Sequence, residues 1–216
     1  MLKSIAILCL FAAAASAAVK SDLLVSTAWL SDHLKDSSVR IIYVAAARTG
    51  YDAGHIPGSL FLPLSDIAVT KNGVANEMPE VPALQAIFEK LGVSDNTKVI
   101  VYTEGSVLPA TRAFFTLDYL GHDNAALLDG GMEQWKKENR PMATDVATVA
   151  PGKFTPKPRP QLIVSTADVQ KQSAAPAANM TLLDVRSAKE FTEGGHIASS
   201  LNANWTDTQV TGTSVL

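Results

Sequence analysis

The chain has 216 residues, of which 47% are hydrophobic and 18% charged, and this ordinary globular composition excludes extensive disorder. Its formal net charge of −3 and the lack of a basic run give no support to binding of nucleic acid or of an anionic membrane surface. A chain of this length suits one large domain, or one and a half domains of the commoner size.

The N-terminus has the composition of a secretory signal peptide. Lys3 precedes an apolar stretch over residues 5–14, and residues 15–17 read Ala-Ser-Ala, an A-x-A cleavage signal. The apolar stretch is too short to span a bilayer comfortably, and a buried helix is the alternative. We therefore predict that residues 1–17 (to about 20) are removed on export to the periplasm or the medium. No membrane anchor is expected after this cleavage.

The position of the one cysteine limits which cysteine-dependent functions the mature chain can have. Cys9 is the only cysteine in the sequence, and it lies inside the predicted signal peptide. After cleavage the chain would have no thiol, no disulfide and no cysteine-ligated metal site.

Helical and extended patterns alternate from residue 25 to about residue 138. The predicted order is helix STAWLSDHL, strand VRIIYVA, a glycine-containing loop, strand SLFLPL, helix PALQAIFEKL, strand KVIVY, helix TRAFFTLDYL, strand AALLD and helix MEQWKKEN. Continuous apolar runs such as VRIIYVA are typical of strands buried on both faces. Strands separated by helices indicate a parallel sheet covered by helices, so the predicted fold class is α/β, with a first domain over residues 23–142.

The loop TEGSVLP follows the strand KVIVY and opens onto a helix. Such a loop presents free backbone N–H groups, and the helix dipole favours an anion there. Ser106 is a poor hydrolase nucleophile because no G-x-S-x-G motif surrounds it. Arg112, further into the helix, could contact an anion, and a surface role is the alternative.

The region that follows the last predicted helix is rich in proline. Five prolines within residues 139–161 predict a semi-extended linker, which we place at 143–160. Two earlier motifs then recur in similar form. LLVSTAWL (23–30) is similar to LIVSTADV (162–169), and GHIPGSL (54–60) is similar to GHIASSL (195–201). The offsets, 166 − 27 = 139 and 196 − 55 = 141, indicate a duplicated domain with a partial second copy over residues 161–216.

Several motifs of this sequence together resemble those of the tandem rhodanese (sulfurtransferase) family. The matching features are GHIPGS at 54–59, GHDNAALLDGGMEQW at 121–135, and LLDVRSAKEF at 182–191 followed by GHIASS. The resemblance implies a five-stranded parallel sheet between helices, with a cysteine on the strand-to-helix loop of the C-terminal copy. It implies transfer of sulfane sulfur from a small anionic donor, thiosulfate or 3-mercaptopyruvate, through a persulfide to a thiol or cyanide acceptor. No cofactor is expected.

The resemblance also suggests what the TEGSVLP loop corresponds to in the family. Thr103 stands at or within one position of the expected cysteine, so Thr103, Glu104, Gly105, Ser106 and Arg112 are interpreted as a degenerate active-site loop. Threonine forms no stable persulfide, and Glu104 would repel an anionic donor. Shifted by about 140 residues, the working loop would lie beyond residue 216, so we expect an incomplete second copy and an inactive chain. A non-catalytic rhodanese-like binding or regulatory module is the alternative.

In the second copy, Arg186 matches a family position near the active site and is a candidate to bind the anionic donor. An ion pair with Asp184 or a neighbouring acid is the alternative. Glu190 departs from the family pattern, since tandem enzymes often place a donor-binding arginine there. His55 and His196 are expected to orient the two GHI turns by hydrogen bonding, and the histidines show no metal-ligand spacing.

Overall fold

A five-stranded sheet organises the first part of the chain in the computed structural model, which describes residues 23–209. The elements of this part are β1 (Leu24–Val25), α1 (Thr27–Asp32), β2 (Val39–Ala45), α2 (Thr49–Ala53), β3 (Leu60–Pro63), β4 (Val69–Lys71), β5 (Val74–Glu77), α3 (Val81–Lys90), β6 (Lys98–Tyr102), α4 (Leu108–Tyr119), β7 (Ala125–Leu128) and α5 (Gly131–Lys137). The sheet order is β1-β7-β6-β2-β3, and every pairing is parallel. Strands β4 and β5 form a separate antiparallel hairpin.

Strands β2 and β6 lie at the centre of the sheet, and their side chains alternate between two buried clusters. Ile42 packs with residues of α3 and α4 on one face, and Tyr43 packs with residues of α1, α2 and α5 on the other. Each fully buried aliphatic side chain contributes about 1.5–3 kcal/mol to stability. The predicted α/β fold, a parallel sheet flanked by helices, is confirmed for this part of the chain.

Residues 143–159, which we call the strap, lie along the surface of this first domain. They contain no helix or strand, as their proline content predicts. Ala143 nevertheless exchanges two backbone hydrogen bonds of 2.9 Å with His55, and Lys157 N–H donates to the Leu120 carbonyl at 2.8 Å. Phe154 is 4% exposed and belongs to the core cluster of α3 and α4. The strap therefore supplies part of the first domain's core, although the sequence places it in a linker after Met142.

The rest of the described chain folds as a smaller unit, which we call the second unit (residues 160–209). Its elements are α6 (Thr166–Ala174), β8 (Leu182–Asp184), α7 (Ala188–Glu193) and β9 (Ser200–Asn202), with short 3-10 turns at Pro160–Leu162 and Trp205–Thr208. Strands β8 and β9 pair in parallel, so the unit holds β9 and α7 in addition to the predicted helix and strand. Within residues 160–209, Gln172 alone is buried. The second unit thus has secondary structure but scarcely any core.

Candidate active-site loop

The β6–α4 loop (residues 103–107) lies at the carboxyl edge of the parallel sheet. In sheets of this kind, ligands bind at that edge. Thr103 is 6% exposed, and its carbonyl accepts the N–H of Met132 at 3.1 Å, which ties the loop to the start of α5. Gly105 has φ of +79°, a left-handed conformation that glycine adopts without steric cost. The sequence thus places the loop where an anion site would be built.

Two backbone donors, one in this loop and one at the start of α4, are bonded within the protein. Gly105 N–H donates to the carboxylate of Glu133, which reaches across from α5. Leu108 N–H, at the start of α4, lies 3.4 Å from the hydroxyl oxygen of Ser106. The cavity beneath the loop measures about 10 Å³, which is about the room that one water molecule needs. The loop therefore offers an external anion neither these two donors nor enclosed space.

Carboxylates dominate the charge around the loop. Glu104 forms an ion pair with Lys136 of α5, and its carboxylate lies near the Tyr43 hydroxyl. Burial raises the pKa of Tyr43 to about 12, and the neighbouring carboxylates of Glu104 and Glu133 add to this rise. A thiolate or a sulfur oxyanion placed here would meet two negative charges, one of which is balanced by a lysine.

The five residues that the sequence assigned to the degenerate loop do not all meet. Thr103, Glu104, Gly105 and Ser106 share the loop, and no thiol stands among them. Arg112 instead donates to the carbonyl of Ile67 from Nε at 3.2 Å and from Nη2 at 3.0 Å. The guanidinium therefore links α4 to the chain before β4 rather than contacting the loop.

The sequence reasoning missed the two side chains of α5 that close the loop. Glu133 and Lys136 follow Gly130-Gly131 and are 28 and 32 residues from their loop partners. Their role depends on β7 lying beside β6, which brings the β7–α5 turn next to the β6–α4 loop. Only the predicted sheet order could have suggested this contact.

The first GHI turn is held by His55, which is 0% exposed. Its Nδ1 is 2.8 Å from the Tyr51 carbonyl oxygen, and its Nε2 is 2.9 Å from the Asp145 carbonyl oxygen in the strap. The imidazole stacks on the Tyr51 ring with centroids 3.8 Å apart. His55 thus orients the turn by hydrogen bonding, as expected, and also anchors the strap.

In the second unit, Arg186 lies in an ion pair with Asp184. Its Nε is 2.9 Å from Asp184 Oδ1, and its Nη2 donates to the Gly195 carbonyl at 2.8 Å. Hydrogen bonds from the Arg186 side chain and backbone lower the pKa of Asp184 to about 2. Glu190 forms a capping box with Ser187 at the start of α7. Arg186 thus adopts the ion pair given as the alternative, beside an open groove of about 800 Å³.

Residues 23–209 provide neither a membrane-spanning helix nor a cluster of metal ligands. No helix in that range is both long and apolar enough to cross a membrane. Within the same range, no group of three or more His, Cys, Asp and Glu side chains is placed to hold a metal ion.

Comparison with known proteins places the fold in a family. Residues 26–138 match the model of the Rhodanese-like domain. The chain is 30% identical over 204 residues to the sulfur carrier protein TtuD of Thermus thermophilus, covering 85% of this chain and 70% of that protein. It is 26% identical over 198 residues to the 3-mercaptopyruvate sulfurtransferase of Escherichia coli, covering 83% and 70%. The crystal structure of SseA from Escherichia coli, a 3-mercaptopyruvate sulfotransferase, superposes with a TM-score of 0.76 at 27% identity, covering 86% and 76%. The chain therefore belongs to the rhodanese family, and its homologues include 3-mercaptopyruvate sulfurtransferases.

Proposed function

We propose that this chain is part of an exported, two-unit sulfurtransferase in which the first domain is non-catalytic and the second unit carries the sulfur. The relatives named above include a sulfur carrier protein and a 3-mercaptopyruvate sulfurtransferase. Their alignments cover 85% and 83% of this chain and so extend well beyond residues 26–138. This extent supports a relationship that includes the second unit.

The observation that carries the proposal is a shared strand register. In the first domain Ile42 pairs with Leu60, and in the second unit Leu183 pairs with Leu201. Both partners are shifted by one offset, since 183 − 42 = 141 and 201 − 60 = 141. A one-residue slip would reverse the face of every side chain, so equal register is a demanding match.

The two GHI turns also agree in detail. His196 Nδ1 is 2.9 Å from the Phe191 carbonyl oxygen, and its imidazole stacks on the Phe191 ring at 3.8 Å. His55 makes the equivalent contacts to Tyr51 at 2.8 and 3.8 Å. Such agreement supports the interpretation of residues 161–216 as part of a second rhodanese unit.

The proposed chemistry requires a thiolate. The thiolate attacks the outer sulfur of thiosulfate, a new S–S bond forms, the donor's S–S bond breaks, and sulfite leaves with its electron pair. With 3-mercaptopyruvate, the C–S bond breaks and the carbon takes up a proton to leave pyruvate. Cyanide or an acceptor thiolate then removes the outer sulfur and restores the thiolate. Thr103 cannot perform these steps, so we assign the thiol to the equivalent loop of the second unit, past residue 216.

An activity assay tests this assignment. Residues 18–216 should release thiocyanate from thiosulfate and cyanide only at background rate, because Cys9 is absent from that fragment. Incubation with either donor should leave its intact mass without an added sulfur atom. Turnover by this thiol-free fragment would refute the persulfide mechanism for this chain.

The alternative function is a non-catalytic rhodanese-like module that binds a partner or regulates one. The internal occupation of the β6–α4 loop by Glu133 favours it for the first domain. The coding sequence after codon 216 separates the two proposals. A strand followed by a cysteine-containing loop supports the sulfurtransferase, whereas a stop codon in the genomic sequence supports the module.

Export is proposed from residues 1–17, which lie outside the described residues. The N-terminus of the protein recovered from cells should begin at Ala18, and recovery of the chain with Met1 in the cytoplasm alone would contradict export.

A further inference from the structure

The carboxylate of Glu133 occupies a position that the proposed function does not use. It accepts the N–H of Gly105 in the β6–α4 loop, although it belongs to the next strand-to-helix connection. We propose that Glu133 is an internal anion that closes this loop, and that its removal opens the loop to small oxyanions such as sulfate and thiosulfate.

Two glycines bring Glu133 within reach of the loop. Gly130 and Gly131 have φ of 73° and 52°, conformations that let the chain turn sharply from β7 into α5. A Cβ atom on Gly131 would lie 3.0 Å from the Thr103 carbonyl oxygen, a tight approach. The glycine pair therefore allows α5 to start directly against the loop, where Met132 N–H bonds Thr103 and the next residue is Glu133.

The loop has the electrostatic features that attract a negative group. The N-terminus of the twelve-residue helix α4 follows it directly, and the partial positive charge there favours anions. Lys136 is the nearby cation, and it is paired with Glu104. The Glu133 carboxylate supplies, from within the chain, the negative charge that this helix N-terminus favours.

Tethering makes the internal carboxylate a strong competitor. A group linked by a short segment has an effective concentration in the millimolar range or above, so a weakly bound free anion cannot displace it at ordinary concentrations. Exposed ion contacts are individually weak, and salt screens them. The loop is therefore closed because Glu133 occupies the Gly105 N–H donor that a free oxyanion would need. A single substitution of Glu133 should reverse this closure.

The experiment uses the mature chain and its E133A variant in low-salt buffer, followed by ¹H–¹⁵N NMR during titration with sodium sulfate or sodium thiosulfate. The amides of Gly105, Ser106 and Val107 should shift saturably in E133A. In the wild-type chain they should shift no more than with sodium chloride of equal ionic strength. Gly105 N–H should also exchange with solvent about tenfold faster or more in E133A, because it loses a charge-assisted hydrogen bond.

Glu77→Ala is the matched control, because it removes one carboxylate from the exposed β5 strand and leaves the loop untouched. It should behave as the wild-type chain does in both measurements. E133Q, which keeps the side-chain size, replaces E133A if the latter fails to fold, and it too should bind the oxyanions more tightly than wild type. Equal oxyanion binding by the wild-type chain and the Glu133 variant, or unchanged exchange at Gly105 in E133A, would overturn the proposal.

Discussion

The β2–α2–β3 segment of the first domain and the β8–α7–β9 segment of the second unit are nearly the same local structure in different surroundings. Ile42 of β2 is 0% exposed. Leu183, which occupies the equivalent position in β8, 141 residues later, is 59% exposed. Strand β2 has β6 on its second edge, and among the described residues β8 pairs with β9 alone. Local sequence therefore specifies register and turn, but burial comes from elements farther along the chain.

This difference has an energetic consequence. Fixing a residue costs roughly 1–2 kcal/mol of backbone entropy, and in the first domain the two buried clusters offset that cost. In the second unit Leu183, Val185, Ile197 and Leu201 are each more than half exposed. The second unit should therefore open far more often than the first domain.

Amide hydrogen exchange should reveal the largest contrast. Backbone amides of β6 and β7 should exchange about 10³-fold more slowly, or slower still, than those of β8 and β9, because core strands open only on global unfolding. The strap amides of Phe154 and Lys157 should be protected with the first domain, since both are hydrogen bonded to it. Mass spectrometry of exchanged peptides measures this. Equal protection of the two regions would mean that another chain completes the second unit.

A pair of matched substitutions should give the next largest contrast. Ile42→Ala should lower the unfolding free energy of the first domain by about 2–5 kcal/mol, because it leaves a cavity in a closed core. Leu183→Ala, at the equivalent position, should cost less than about 0.5 kcal/mol, because its side chain is largely in water. Urea unfolding of the two variants, followed by circular dichroism and by tryptophan fluorescence, to which Trp135 of the first domain and Trp205 of the second unit both contribute, measures both. Similar losses for the two variants would show that Leu183 is covered in solution.

The sequence predicted those parts of the fold that periodicity specifies. The strands around VRIIYVA, KVIVY and AALLD occur as β2, β6 and β7 because a continuous apolar run suits a strand covered on both faces. Strand β1 was missed because its two residues are too few to show a period. The β4–β5 hairpin was also missed, although Asn72-Gly73, with φ of 52° and 80°, is a recognised hairpin signal.

The contacts that decide function were not visible in the local sequence. Phe154 stands alone among prolines and polar residues, and its burial depends on α3 and α4, since it packs in their cluster and its N–H donates to Glu89 of α3 across 65 residues. Glu133 reaches Gly105 across 28 residues. Glu190, in contrast, was predictable as a helix cap, because Ser187-x-x-Glu190 is a capping-box pattern. Tertiary contacts between connections therefore limit what a single sequence reveals about the site.

The smallest predicted effect concerns the ion pair that distinguishes β8 from β2, where Tyr43 stands in place of Asp184. Because the pKa of folded Asp184 is about 2, below the ordinary 3.8, the contribution of the pair is fully present above about pH 4 and is lost as the pH falls through about 2. Arg186→Gln should raise the pKa of Asp184 toward 3.8, only part of the way, because the backbone N–H of residue 186 still donates to the carboxylate. Carboxyl ¹³C shifts measured over an acid titration report this value directly. Lys189→Gln, which removes an exposed cation 3.9 Å from Glu193, is the control and should leave Asp184 unchanged. A pKa that stays near 2 in Arg186→Gln would show that the turn itself, and not the guanidinium, holds the carboxylate ionised.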